Sequence, residues 1–250
     1  MDSAISCVLI DVGGTLWPSG WAATEAIEQA RCERLADVLP ALAPPRNVEF
    51  SRQLNACRAE YARLVERDNP LSQDIDAVIH SAARRLGLRL DAAGLGAIRD
   101  AVCVSPVGRL ELFPGARELL ARVKSRGWHC VAVSNAGWRN ASAYRRDFDD
   151  LGIGRYVDAV ISSVDVGFRK PHPAPFEAAL AAAGCRAAQA VMIGNSAHND
   201  VQPAVALGLR AILVAIEKPR PAVRTAHGVV DSLYDAAAIL ERWARDASLH

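Results

Sequence analysis

Asp11, Lys170, Ser134, Asn135 and Asp200 are the residues of this chain whose types and settings can support chemistry. Asp11 closes the apolar run VLID and is followed by Gly13, Gly14 and Thr15. A carboxylate at a strand end can act as a nucleophile on phosphorus or carbon, forming an acyl-type intermediate that water then hydrolyses. Such an attack needs positive charge nearby, and Lys170 in FRKPHP supplies it, both for Asp11 and for an anionic substrate. Ser134 and Asn135, in VSN, can donate to phosphate or carboxylate oxygens, and Thr15 can hold the turn after Asp11 and join them in binding substrate. Asp200 suits a hard cation such as magnesium, with Asp11, Asn195 and the Gly13 carbonyl completing the candidate metal set. The plain alternatives are a turn acid at Asp11, an exposed loop lysine at Lys170 and a helix-opening acid at Asp200. His172 and His198 lie near these residues and read as exposed loop histidines. Trp17 and Trp21 flank the first turn, as pocket wall or as packing.

These residues follow short apolar runs: SCVLID (6–11), HCVAVS (129–134), VDAVISS (157–163), AVMIG (190–194) and AILVAI (211–216). Continuous apolar runs, rather than alternating ones, are expected of parallel strands covered on both faces. Helical patterns lie between them near 115–126, 140–150, 174–183 and 199–207, with a last one near 232–247. Pro114-Gly115 opens the first of these and Gly127 closes it. The order predicts an α/β doubly wound parallel sheet, a Rossmann-like core with its ligands beyond the carboxyl ends of the strands. From about 20 to about 106 no strand pattern is present. WAATEAIEQARCERLADVL, FSRQLNACRAEYARLVER, DAVIHSAARRLGL and LGAIRDAVCV read as helices, with the loop ALAPPRN between the first two. The expected division is a core of 1–18 and 107–250 with a helical insert over 19–106.

The 29 Lys and Arg against 28 Asp and Glu leave a net charge of +1 and no long charged run, which argues against nucleic acid or an anionic membrane as partner. No apolar run approaches the ~20 residues of a membrane span. The six cysteines form no C-x-x-C pair, so neither a zinc site nor a disulfide framework is expected, and a reducing cytoplasm suits them. Asp2 follows Met1 with no basic stretch, unlike a signal peptide. Nothing in the sequence sets an oligomeric state.

DVGGT, VSN, the lysine of RKPHP and GNSAHND occur in this order, and together they resemble the four motifs of the haloacid dehalogenase-like hydrolases over roughly 5–16 and 110–230. The helical insert resembles that family's C1 cap. The resemblance implies Asp11 as nucleophile, Lys170 as its partner and magnesium as cofactor. Two positions depart from it. The family's phosphatases carry a general-acid aspartate two residues after the nucleophile, where this chain has Gly13, and an acid directly after the glycine of the fourth motif, where it has Asn195. Three readings follow. The first is a hydrolase of small phosphate esters, with weakened magnesium binding. The second is a metal-free 2-haloacid dehalogenase, in which halide leaves without a proton and a cap arginine is required; Arg31, Arg34 and Arg46 are the candidates. The third is a binding protein on a decayed scaffold.

Overall fold

Six parallel strands carry the molecule: β1 (Cys7–Ile10), β2 (His129–Ser134), β3 (Ala159–Ser162), β4 (Ala190–Gly194), β5 (Arg210–Val214) and β6 (Gly228–Val230). This computed structural model describes residues 4–20, 25–64, 71, 74–105, 108, 111–217 and 225–247. The strand order is β3-β2-β1-β4-β5-β6. Within it Cys7–Ile10 pairs with His129–Ala132 on one side and Ala190–Ile193 on the other. The order reverses between β1 and β4, and a crevice opens at the carboxyl ends of the strands at such a switch point.

Alternate residues of each strand face opposite sides of the sheet. Val8 and Ile10 pack with Leu119, Leu120, Phe148 and Leu240, which come from α5 (Ala116–Ser125), α6 (Ala141–Asp150) and α10 (Leu233–Ala247). Cys7, Leu9 and Val131 pack on the other side with Phe176 and Ala179 of α8 (Ala174–Ala183) and with Ala204 of α9 (Gln202–Ala206). Both faces are therefore apolar, and the strands read as unbroken hydrophobic runs for that reason.

Among the described residues four α-helices stand between β1 and α5: α1 (Glu25–Val38), α2 (Arg46–Leu64), α3 (Ile75–Arg85) and α4 (Ala92–Val102). They enclose a separate core of Leu35, Leu42, Phe50, Leu54, Ile79 and Ile98. Asp74 and Asp91 start α3 and α4 by accepting from the backbone N–H groups of Ala77 and Gly94. Trp138 and Ala143, from the start of the α6 region, belong to this same cluster and join the helices to the sheet. No described helix is long and apolar enough to cross a membrane.

Three local features differ from the sequence reading. Strand β6 has three residues and the helix α7 (Ser163–Val166) four, too few to give a period. The helix expected near 199–207 begins as a π-turn over Ala197–Val201 before α9. Pro203 lacks an N–H and cannot extend the wider turn. Trp21 lies outside the described residues, whereas Trp17 is buried in the core with its ring 5.7 Å from Phe148 and 6.3 Å from Tyr144.

Phe148 is fully buried beneath these two rings. Phe148→Ala should destabilise the fold by ~3–5 kcal/mol, the usual cost of emptying such a site. Urea denaturation measures it, and a loss under ~1 kcal/mol would show that the aromatic cluster collapses to fill the space.

Candidate active site

Lys170 is the hub of the switch-point crevice. Its ammonium donates to Asp11 Oδ1 at 2.7 Å, to Asp200 Oδ1 at 2.6 Å and to the carbonyl of Val133 at 2.7 Å. All three ammonium protons are thereby used. The side chains of Lys170 and Asp200 are each 1% exposed. Burial opposes the charge on Lys170, but Asp11 and Asp200 outweigh it and hold the ammonium above the usual lysine range. Burial also acts on Asp200; opposed by Lys170 and reinforced by the charge of Asp11, it pushes that carboxyl up to about 6.

The surrounding backbone holds this cluster in place. Asp11 follows β1, and the Thr15 hydroxyl donates to its Oδ2 at 3.0 Å. Asp200 Oδ2 accepts from the Ser196 N–H at 2.9 Å. A Cβ at Gly194 would stand 2.5 Å from the Asp200 carboxyl, so the strand end must be glycine for this aspartate to lie against it. Gly14 has φ +79, and a Cβ there would meet Asn195 Nδ2 at 2.0 Å. Gly13, by contrast, is outside the left-handed region, and a Cβ there would meet nothing within 4 Å.

The other residues singled out in the sequence have the following partners. Asn135 donates to the Lys170 carbonyl and accepts from the Lys170 N–H, both at 2.8 Å. Thr15 is fully buried, with its hydroxyl bonded to Asp11. Ser134 is bonded to the Tyr144 hydroxyl at 2.8 Å, and burial raises the pKa of that phenol. Asn195 turns toward Gly14. His172 stacks on Phe168 at 4.1 Å, and its Nδ1 accepts from the Ala174 N–H. His198 is exposed. Of the three candidate arginines, Arg34 bonds the carbonyls of Cys103 and Asp100, and Arg46 that of Leu86, so both tie helices together. Arg31 alone of the three lines a cavity beside Tyr144. Two residues were missed: Arg58 on α2, which lines that cavity, and Glu217, which accepts from the Ser19 N–H at 2.9 Å and lies against Gly14. Neither belongs to a motif, so only the fold could find them.

Each oxygen of Asp11 and Asp200 accepts one hydrogen bond and keeps a further lone pair. The two carboxylates can therefore serve a magnesium ion, with the Gly13 carbonyl as a neutral third donor. Among the described residues no three acidic, histidine or cysteine side chains gather into a metal cluster, so such an ion would depend on neutral oxygens for the rest of its shell.

The model of the haloacid dehalogenase-like hydrolases matches residues 5–208, and the chain belongs to that family of hydrolytic enzymes. Among curated relatives it is similar to a phosphoglycolate phosphatase of Pectobacterium atrosepticum, 28% identical over 84% of this chain and 80% of the relative. It is also similar to a glyceraldehyde 3-phosphate phosphatase of Methanothermobacter thermautotrophicus, 35% identical over 43% of this chain and 46% of the relative. The chain spans about half the length of most of the curated relatives it matches. Of solved structures, a 2-haloacid dehalogenase from Pseudomonas syringae aligns with TM-score 0.66 and 24% identity, over 96% of this chain and all of that one. A HAD phosphatase from Thermococcus onnurineus aligns with TM-score 0.60 and 20% identity, over 94% and 98% of the two chains. These structural likenesses establish the fold.

The raised pKa of Asp200 has a measurable sign. The folded protein holds this proton more tightly than the unfolded chain, where an aspartate titrates near ~3.9. Its stabilising contribution is full below that value and is lost as pH rises through about 6. Asp200→Asn is neutral throughout, so the melting temperature of the variant relative to the parent should climb from acid to neutral pH in metal-free buffer. A constant difference would mean that Asp200 titrates in the folded protein as it does in the unfolded chain.

Proposed function

We propose that this protein hydrolyses small phosphate esters with Asp11 as its nucleophile. The observation that carries this reading is the Lys170 ammonium bound to Asp11 and Asp200 together at the switch point of the sheet. Thr15 on one oxygen and Lys170 on the other fix the orientation of the Asp11 carboxylate. Asp11 attacks phosphorus, the bond from phosphorus to the ester oxygen breaks, and the alcohol leaves with a proton from water. Water then hydrolyses the aspartyl phosphate and regenerates Asp11. Lys170 offsets the charge of the phosphoryl group without reorganising. Magnesium, held by Asp11, Asp200 and the Gly13 carbonyl, would add positive charge against the phosphoryl oxygens. Asn135 is a positioning residue for Lys170, and Ser134 with Tyr144 supplies hydroxyl donors at the end of β2.

Residues 19–106 act in this reading as a cap over a core of 1–18 and 107–250, excluding water and selecting the substrate. All six cysteines are free thiols, which suits a protein of the reducing cytoplasm. A second reading has one specific support: positions 13 and 195 carry no acid, and a departing halide needs no proton. In that case Asp11 displaces halide from a 2-haloacid and no metal is used. A panel of small phosphate esters and 2-haloacids, assayed with magnesium and with chelator, separates the two. Magnesium-dependent phosphate release supports the first, chelator-insensitive halide release the second, and silence throughout overturns both.

Asp11→Asn should lower turnover by more than ~100-fold while the fold survives, since nucleophile losses run far larger than that. Retained activity would remove Asp11 from the chemistry. Gly13→Asp has room for its side chain and no unusual backbone angle to satisfy. On phosphate esters of poor leaving groups it should raise the rate by part of the ~10²–10⁴-fold that a placed general acid contributes. On nitrophenyl phosphate, whose leaving group needs little protonation, the gain should shrink. A folded variant with no dependence on leaving group would count against the phosphatase reading.

A further inference from the structure

A small cavity of about 130 Å³ lies between the helical unit and the carboxyl end of β2. Arg31 of α1 and Arg58 of α2 line one side, and Gly137, Trp138 and Tyr144 the other. Both guanidinium groups stand over the Trp138 ring, at 5.8 and 5.4 Å from its centroid, within the range of a cation–π contact. Arg58 lies so close to Gly137 that a Cβ there would come within 2.5 Å of its Nη2. The cavity adjoins the reaction centre through Tyr144, whose hydroxyl is bonded to Ser134 at the end of β2.

Some donors lining this cavity are left over. Arg31 is 3% exposed and Trp138 is 5% exposed, yet Arg31 Nε and Trp138 Nε1 have no hydrogen-bond partner. Buried donors without acceptors are rare and call for an explanation. No carboxylate lines the cavity among the described residues. Arg31 is paired through Nη1 with Glu28, and Arg139 with Asp147, so these guanidinium groups are held in place before any ligand arrives. Burial lowers the pKa of Arg58, and the charges of Arg31 and Arg169 lower it further, which marks a place where positive charge is crowded.

We propose that this cavity binds a carboxylate at the far end of the substrate, with Arg31, Arg58 and Trp138 as its specificity-determining residues. A carboxylate is flat and accepts only, matching a guanidinium fork and an indole N–H beside an aromatic wall. At about 130 Å³ the cavity has room for a carboxylate on one or two carbons. Resting on the phosphatase reading, this narrows the substrate class to short phosphate monoesters that end in a carboxylate.

The test compares matched pairs: ω-carboxyalkyl phosphates of one to three methylenes against hydroxyalkyl phosphates of equal length. For one chain length the parent protein should prefer the carboxylate by at least ~10-fold in kcat/KM, the size expected of a charge-assisted bond. Arg58→Met, which keeps the apolar stem, should remove most of that preference, read as the ratio of kcat/KM within each matched pair. Arg58→Lys should restore part of it. Trp138→Phe keeps an aromatic face but deletes the pyrrole ring with its N–H, and it should give a smaller loss even if Arg58→Met fails to fold. Calorimetry with malonate gives a readout independent of turnover. If no phosphate is released, but malonate binds the parent protein and not Arg58→Met, the cavity stands and the phosphatase reading falls. If phosphates are hydrolysed with equal efficiency across the pairs and malonate does not bind, the subsite is overturned.

Discussion

One ammonium group placed between two carboxylates constrains everything around it. Asp11 and Asp200 both reach Lys170 in a region almost closed to water. Two acids that near each other and that buried cannot both ionise without a cation among them. Conversely, a lysine this deep would lose its proton unless acids surrounded it. Removing one partner leaves a buried charge uncompensated, which commonly costs ~3–5 kcal/mol. The three side chains arrive from β1, from the loop after β3 and from the π-turn after β4. The sheet order is what brings them together, because β1 lies between β2 and β4 at the centre.

Much of this was legible in the sequence. The apolar runs of β1, β2 and β4 are buried on both faces, and that double burial is a strong linear signal. Asp11 and Asp200 could be singled out because each follows such a run within a few residues, and Lys170 by the FRKPHP segment after β3. What the sequence concealed depends on orientation. VSN does not reveal that Asn135 spends its amide on the Lys170 backbone. GGT does not reveal that Gly14 is demanded by its surroundings while Gly13 is not. Strand β6 and helix α7 are too short to have a period. Among the arginines of α1 and α2, nothing local separates Arg31 and Arg58 from Arg34 and Arg46. Their difference lies in which helix face meets Trp138, and only tertiary packing sets that.

The polar groups divide between two parts of the chain. The ammonium, both carboxylates and the hydroxyl pair of Ser134 and Tyr144 are mounted on the sheet and the loops at its end. The arginines over Trp138 come from helices with a hydrophobic core of their own. A helical unit with its own core can change its side chains without disturbing the strands, as expected where substrate choice varies on a constant scaffold.

The bonds that Asn135 makes to position 170 have one more consequence. Both of its partners are main-chain atoms, an N–H and a carbonyl that every residue except proline carries. The loop is thus anchored to the end of β2 whatever side chain stands at 170. Its location and its chemical identity are separately encoded, so a mutation can alter the charge delivered to the crevice without altering the place of delivery. Such a scaffold can lose or acquire an activity by single replacements while the chain path stays the same.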